Sequence, residues 1–114
     1  MSPAYQAIRD AMLALQPVSF VYAGHPRQVC VHALGLNKSG REQALVFQFG
    51  GSSSSGLPTG GEWRCMTIGN IQGVQIAGGG WHTRNDHEET QTCVADVDVE
   101  IWVDVYGKPY VKRA

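Results

Sequence analysis

Apolar residues along this 114-residue chain change their period once, near position 17. Ala4, Ile8, Met12 and Leu15 recur at three- and four-residue spacing, which predicts a short amphipathic helix over about residues 3–16. Ser2 supplies an N-cap, Pro3 sits at the first helical position, and Pro17 stops the helix. From Val18 the pattern is that of strands. Val18–Tyr22 is rich in β-formers and ends in the turn cluster Ala23-Gly24-His25-Pro26. Arg27–Leu34 then alternates, with Val29, Val31 and Ala33 on one face and Gln28, Cys30 and His32 on the other. Asn37–Gly40 reads as a tight turn, and Ala44–Phe49 and Trp63–Ile68 as strands. Ile71–Ile76 is a short apolar element. The cleanest alternation sets Val97, Val99, Ile101, Val103 and Val105 against Asp96, Asp98, Glu100, Trp102 and Asp104, a half-buried strand.

One helix and five or six short strands predict a mainly β domain spanning residues 1–114, bent into a small barrel over about 18–106. Residues 107–114 read as a short basic tail. Two glycine-rich stretches interrupt the strands. The run Gly50–Glu62 holds five glycines and four consecutive serines, and reads as a long loop within one domain. Gly78–Gly80 is a second break, and Asn85–Thr92 is polar and expected to be exposed.

Composition agrees with this picture. Charged residues make up 17%, too few for the solvent-facing stripes of a helical bundle, and 14 glycines suit a turn-rich β chain. No apolar run reaches the roughly 20 residues of a membrane span, and the N-terminus lacks the sections of a signal peptide, so a cytoplasmic location is expected, without membrane contact. Cys30, Cys65 and Cys93 are odd in number and widely spaced, and read as reduced, buried thiols. The net charge of -1 conceals an asymmetry. Residues 1–84 carry six basic and three acidic side chains, residues 85–107 carry seven acids and no Lys or Arg, and the last seven residues add three cations.

Four clusters have the residue types of a chemical site. His82, Asp86, His87 and Glu88 crowd together, but without the convergent spacing of zinc ligands they read as a solvated loop. The acidic face Asp96, Asp98, Glu100 and Asp104 reads as facing water and protecting a sheet edge. Cys30 and His32 share a strand face some 6–7 Å apart, beyond hydrogen-bond reach for a nucleophile and its base. The serine-glycine loop could cradle a phosphate on its backbone N–H groups, yet it is no Walker loop, and taken alone it reads as a floppy hairpin. No catalytic signature is present, so a non-enzymatic protein without a cofactor is expected.

Read in order, Phe20-Val21-Tyr22, Gly24, Arg27-Gln28-Val29, His32, Gly35, Gly40, Phe47-Gln48, Gly51, Ser53 to Gly56, Trp63-Arg64 and Ile71 resemble the WYL-domain family, in particular its small stand-alone members. The likeness covers about half the chain. It implies an Sm-like or SH3-like β-barrel with an N-terminal helix, and a regulatory module that senses a small anionic or nucleotide-type ligand. By that resemblance Arg27, His32, Gln48, Ser53, Ser55, Trp63 and Arg64 line the ligand site. Arginines suit phosphate, the serines and Gln48 supply hydrogen bonds, and Trp63 or Phe47 could stack on a base. The alternative for Gln48 and His32 is to satisfy buried backbone groups, and for Trp63 to be core. Gln43-Ala44-Leu45 stands where the family carries its Trp-Tyr-Leu. The acidic strand disfavours a broad footprint on a nucleic-acid backbone. Three partners stay open as alternatives: single-stranded nucleic acid, a regulatory protein, and a second copy of the chain meeting it at exposed barrel edges.

Overall fold

The computed structural model describes residues 2–52, 61–81 and 93–113. Helix α1 spans Pro3–Leu13. The Ser2 hydroxyl accepts from the Tyr5 amide at 3.2 Å, as an N-cap should, and itself donates to Glu42 at 2.5 Å, tying the helix start to the sheet. The helix ends three residues before the expected point. Leu15 adopts φ 55°, and the bonds Gln16 N–H to Ala11 C=O and Leu15 N–H to Met12 C=O (both 2.9 Å) close a Schellman cap, after which Pro17 leads into the sheet. Tyr5, Ile8, Ala11 and Met12 form the buried stripe.

Seven strands follow, rather than five or six: β1 (Val18–Tyr22), β2 (His25–Leu36), β3 (Glu42–Gly51), β4 (Glu62–Thr67), β5 (Ile71–Ile76), β6 (Asp96–Val103) and β7 (Pro109–Arg113), with a 3-10 turn at Ile68–Asn70. All pairings are antiparallel. The spine is β2, twelve residues long. One edge pairs with β3, while the other is shared, β1 taking residues 25–29 and β6 taking residues 33–36. The sheet therefore forks into a β1-β5 limb and a β6-β7 limb. Its main path, β4-β3-β2-β1-β5, ends at β4 and β5 with no ladder between them among the described residues. The protein is mainly β with an N-terminal helix, and the sheet is open.

The expected basic tail is strand β7. Its residues meet β6 in complementary pairs, Lys112 opposite Glu100 and Tyr110 opposite Trp102, which is enough to extend the sheet. The acidic face also differs from expectation. β6 is no edge, and Asp98, the extra residue of a bulge against β2, accepts from the Tyr5 hydroxyl at 2.7 Å and from Arg9 Nε at 3.0 Å. Burial first, and Asp98 second, push the Tyr5 phenol above its ordinary value. The neutral phenol therefore supports the fold. Its contribution is complete below the unfolded-state value near pH 10 and declines as pH rises beyond it. Denaturant titrations at about pH 8 and about pH 10.5 should show this loss, and Tyr5→Phe should flatten it.

The β1–β2 hairpin closes in two residues, Ala23 and Gly24, both with positive φ (54° and 78°), the combination of a type I′ turn. Glycine takes this conformation freely and alanine does not. Ala23→Asn should stabilise the protein by several tenths of a kcal/mol to about 1 kcal/mol, read from the denaturant midpoint.

A bulge at His32 breaks the expected alternation of β2. Val31 pairs with Val46 and Ala33 with Leu45, so two residues on β2 face one step on β3. Val29, Val31 and Leu34 enter the main core with α1, Ala44, Val46, Met66 and Val99, while Ala33 joins a second cluster on the opposite face with Leu45 and Val94. Both faces of β2 are buried as a result. No helix among the described residues is long and apolar enough to cross a membrane.

The cysteines depart from the reduced state expected of them. Cys65 on β4 and Cys93, just before β6, form a disulfide, with Cα atoms 5.6 Å apart across 28 residues of sequence. Spacing along the chain carries no sign of it, because the crossover into β6 brings Cys93 over the outward face of β4. A loop of this size corresponds to about 3–4 kcal/mol of chain-entropy stabilisation. Cys30 lies outside the bond and is buried.

Candidate functional site

The sheet divides the sequence-predicted site residues between its two faces. Arg27 follows the parity of Val29, Gln48 that of Val46, and Arg64 that of Met66, so all three project to the main-core face. Trp63 belongs to the opposite cluster, and His32 packs against it there. Ser53 and Ser55 lie outside the described residues, as do His82, Asp86, His87, Glu88 and the Asn85–Thr92 stretch.

On the main-core face, the Arg27 guanidinium is only 4% exposed. Nη1 donates to Gln48 Oε1 at 3.1 Å, Nη2 donates to the Tyr22 carbonyl at 3.2 Å, and the group lies 5.4 Å from the centroid of the Tyr22 ring. Its Nε is buried with no hydrogen-bond partner among the described residues. No carboxylate there lies within ion-pair distance of it either, the described pairs being Arg9–Asp98 and Arg64–Glu62. Burial first, and the nearby Arg64 charge second, push its pKa down. Burial thus opposes the Arg27 charge, and the like charge of Arg64 adds to the effect. Arg64 donates to Glu62 at 2.6 Å.

Gln48 is fully buried and links the cation to the serine-glycine loop. Its Oε1 faces Arg27, while Nε2 donates to the carbonyls of Gly50 (3.0 Å) and Ser52 (3.2 Å). Glycine is required where the loop leaves and rejoins the sheet. Gly51 has φ 85°, and a Cβ there would stand 2.9 Å from Arg27 Cα; Gly61 has φ 90°, and a Cβ would stand 2.6 Å from the Gln48 carbonyl oxygen. The loop ends are therefore pinned beside Arg27 and Gln48. Surface depressions flank the cluster, one of about 410 Å³ bordered by Arg27, Gly51 and Gln28, and one of about 440 Å³ bordered by Tyr22 and Asn70.

On the opposite face, the His32 ring meets Trp63 edge-on at 4.7 Å between centroids and Trp81 at 5.2 Å, and Phe47 meets Trp63 at 5.2 Å. His32 and Phe47 are buried. These contacts are those of a packed aromatic cluster. The residues that sequence reasoning missed are Tyr22 and Glu62. Each had a parity signal, Tyr22 standing two residues from the core residue Phe20 and Glu62 two residues from Arg64.

Comparison of the chain with family models, curated proteins and solved structures finds no match to any of them.

Proposed function

We propose that this protein is a non-enzymatic, WYL-like module that binds a small anion, of phosphate or nucleotide type, at Arg27 and Arg64, with Gln48 positioning Arg27, and that it serves a regulatory role. One observation carries the reading. Arg27 is a buried cation whose Nε has no hydrogen-bond partner and which has no carboxylate within ion-pair distance among the described residues, and the Arg64 charge disfavours it further. A buried charge left without a counter-ion is costly, and an anion held by two guanidiniums offsets that cost through charge-assisted hydrogen bonds. The helix-first order and the single 3-10 turn joining β4 to β5 support a strongly bent, Sm-like barrel as the frame.

A small ligand is favoured over a nucleic-acid backbone, because a polymer needs cations spread over an accessible surface and Arg27 is nearly enclosed. The reading keeps Arg27 and Arg64 as anion ligands, gives Gln48 the role of positioning Arg27 through its Oε1, and assigns His32 and Trp63 to packing. Calorimetric titration with inorganic phosphate, at ionic strength held constant with chloride, tests it. Saturable binding of one phosphate per chain is expected. Heats that match the chloride blank at millimolar phosphate refute the site.

A further inference from the structure

We infer that the ligand of the anion site is a mononucleotide whose base occupies the depression of about 440 Å³ bordered by Tyr22, Asn70 and Gln72. The inference rests on the reading of Arg27 and Arg64 as anion ligands, and it adds the part of the ligand that is not phosphate. Tyr22 joins the two places. Its ring centroid lies 5.4 Å from the Arg27 guanidinium carbon and its carbonyl accepts from Arg27 Nη2 at 3.2 Å, while the same residue borders the depression.

Tyr22 is held at both ends. Its backbone pairs with His25 and Ile71 in the sheet, and its hydroxyl accepts from the Thr67 amide, at 3.4 Å, just before the 3-10 turn Ile68–Asn70. A ring already fixed in place loses little freedom when a base stacks on it.

The rest of the border has the chemistry of a base site. Val21, 39% exposed, offers apolar surface, and Asn70 and Gln72 carry exposed carboxamides, each with a donor and an acceptor for a base edge. Gly24 and Gly69 leave the space open, since a Cβ on either meets nothing within 4 Å. No Lys, Arg, Asp or Glu borders the depression among the described residues. An uncharged planar heterocycle suits such walls, whereas a run of further phosphates finds no cation there. The volume falls within the range of about 300–1,000 Å³ typical of small-molecule sites.

Calorimetric titrations of the full chain, at ionic strength held constant with chloride, test the inference. The compounds are inorganic phosphate, ribose 5-phosphate and the 5′-monophosphates of adenosine, guanosine, cytidine and uridine. At least one nucleotide is expected to bind about tenfold or more tighter than ribose 5-phosphate, the gain of one stacked base. Gly69→Leu fills the open space and should remove that gain while inorganic phosphate keeps its affinity within about threefold. Asn70→Ala, at an exposed position, should lower the gain as well and serves if the leucine disturbs the 3-10 turn. Phosphate binding with no nucleotide tighter than ribose 5-phosphate overturns the inference and leaves the anion site standing. A gain that survives both variants places the base elsewhere and also overturns it. Absence of binding by every compound removes both readings.

Discussion

Arg27→Met is expected to weaken phosphate binding at least tenfold while changing the anion-free stability by less than about 2 kcal/mol. The two halves have separate causes. Hydrogen bonds from a charged group contribute about 1.5–3 kcal/mol, and losing them to a bound anion corresponds to a ten- to hundredfold drop in affinity. In the empty protein the terms oppose one another. Removing the cation relieves its desolvation and its repulsion by Arg64, whereas Gln48 Oε1 loses its donor, a cost of about 1–3 kcal/mol. Methionine keeps most of the stem volume, so no large cavity opens. A midpoint shift of no more than about 16 °C follows for a domain of this size, where 1 kcal/mol moves the midpoint by some 4–8 °C. Calorimetric affinity and the unfolding midpoint should be measured on the same samples. A large loss of stability with affinity retained makes Arg27 a structural residue and nothing more.

Trp63→Ala has the opposite signature. The indole lies against His32 and Phe47 and packs on the outer cluster of Ala33, Leu45 and Val94, so truncation removes these contacts. A loss of about 3 kcal/mol is expected, at the lower end for an aromatic truncation because Trp63 is only half-buried. Phosphate affinity of the folded fraction should stay within about threefold of wild type, a shift below 1 kcal/mol, because the sheet stands between Trp63 and Arg27. Affinity that collapses while the midpoint holds places the indole in the ligand site.

These paired outcomes turn on facial assignment, the point at which the sequence was hardest to read. Parity alone separates Arg27, Gln48 and Arg64 from Trp63, since each arginine or glutamine lies two residues from a core valine or methionine. It does not say which face is the core, because β2 from Val29 to Gly35 is buried on both sides. The bulge at His32 hides the matter further by placing His32 and Ala33 toward the second cluster. Local signals were read well where local physics decides. The Ser2 cap and the turn after Tyr22 appear where the sequence put them, whereas the alternation of β6 holds only from Val99 to Val103: the bulge at Asp98 sends Val97 to the second cluster, and Val105 lies exposed beyond the strand. Long-range events left no mark. β7 forms because Lys112 and Tyr110 find Glu100 and Trp102 across the ladder, and the disulfide forms because a crossover lays Cys93 over β4.

The anion site is tested most directly by following the side-chain signals of the ¹⁵N-labelled protein during a phosphate titration at constant ionic strength. The Arg27 Nε–H and Gln48 carboxamide resonances should move together and saturate with one affinity, and Trp63 Nε1–H should stay in place. Saturable shifts at Trp63 with Arg27 and Gln48 unmoved would contradict the account.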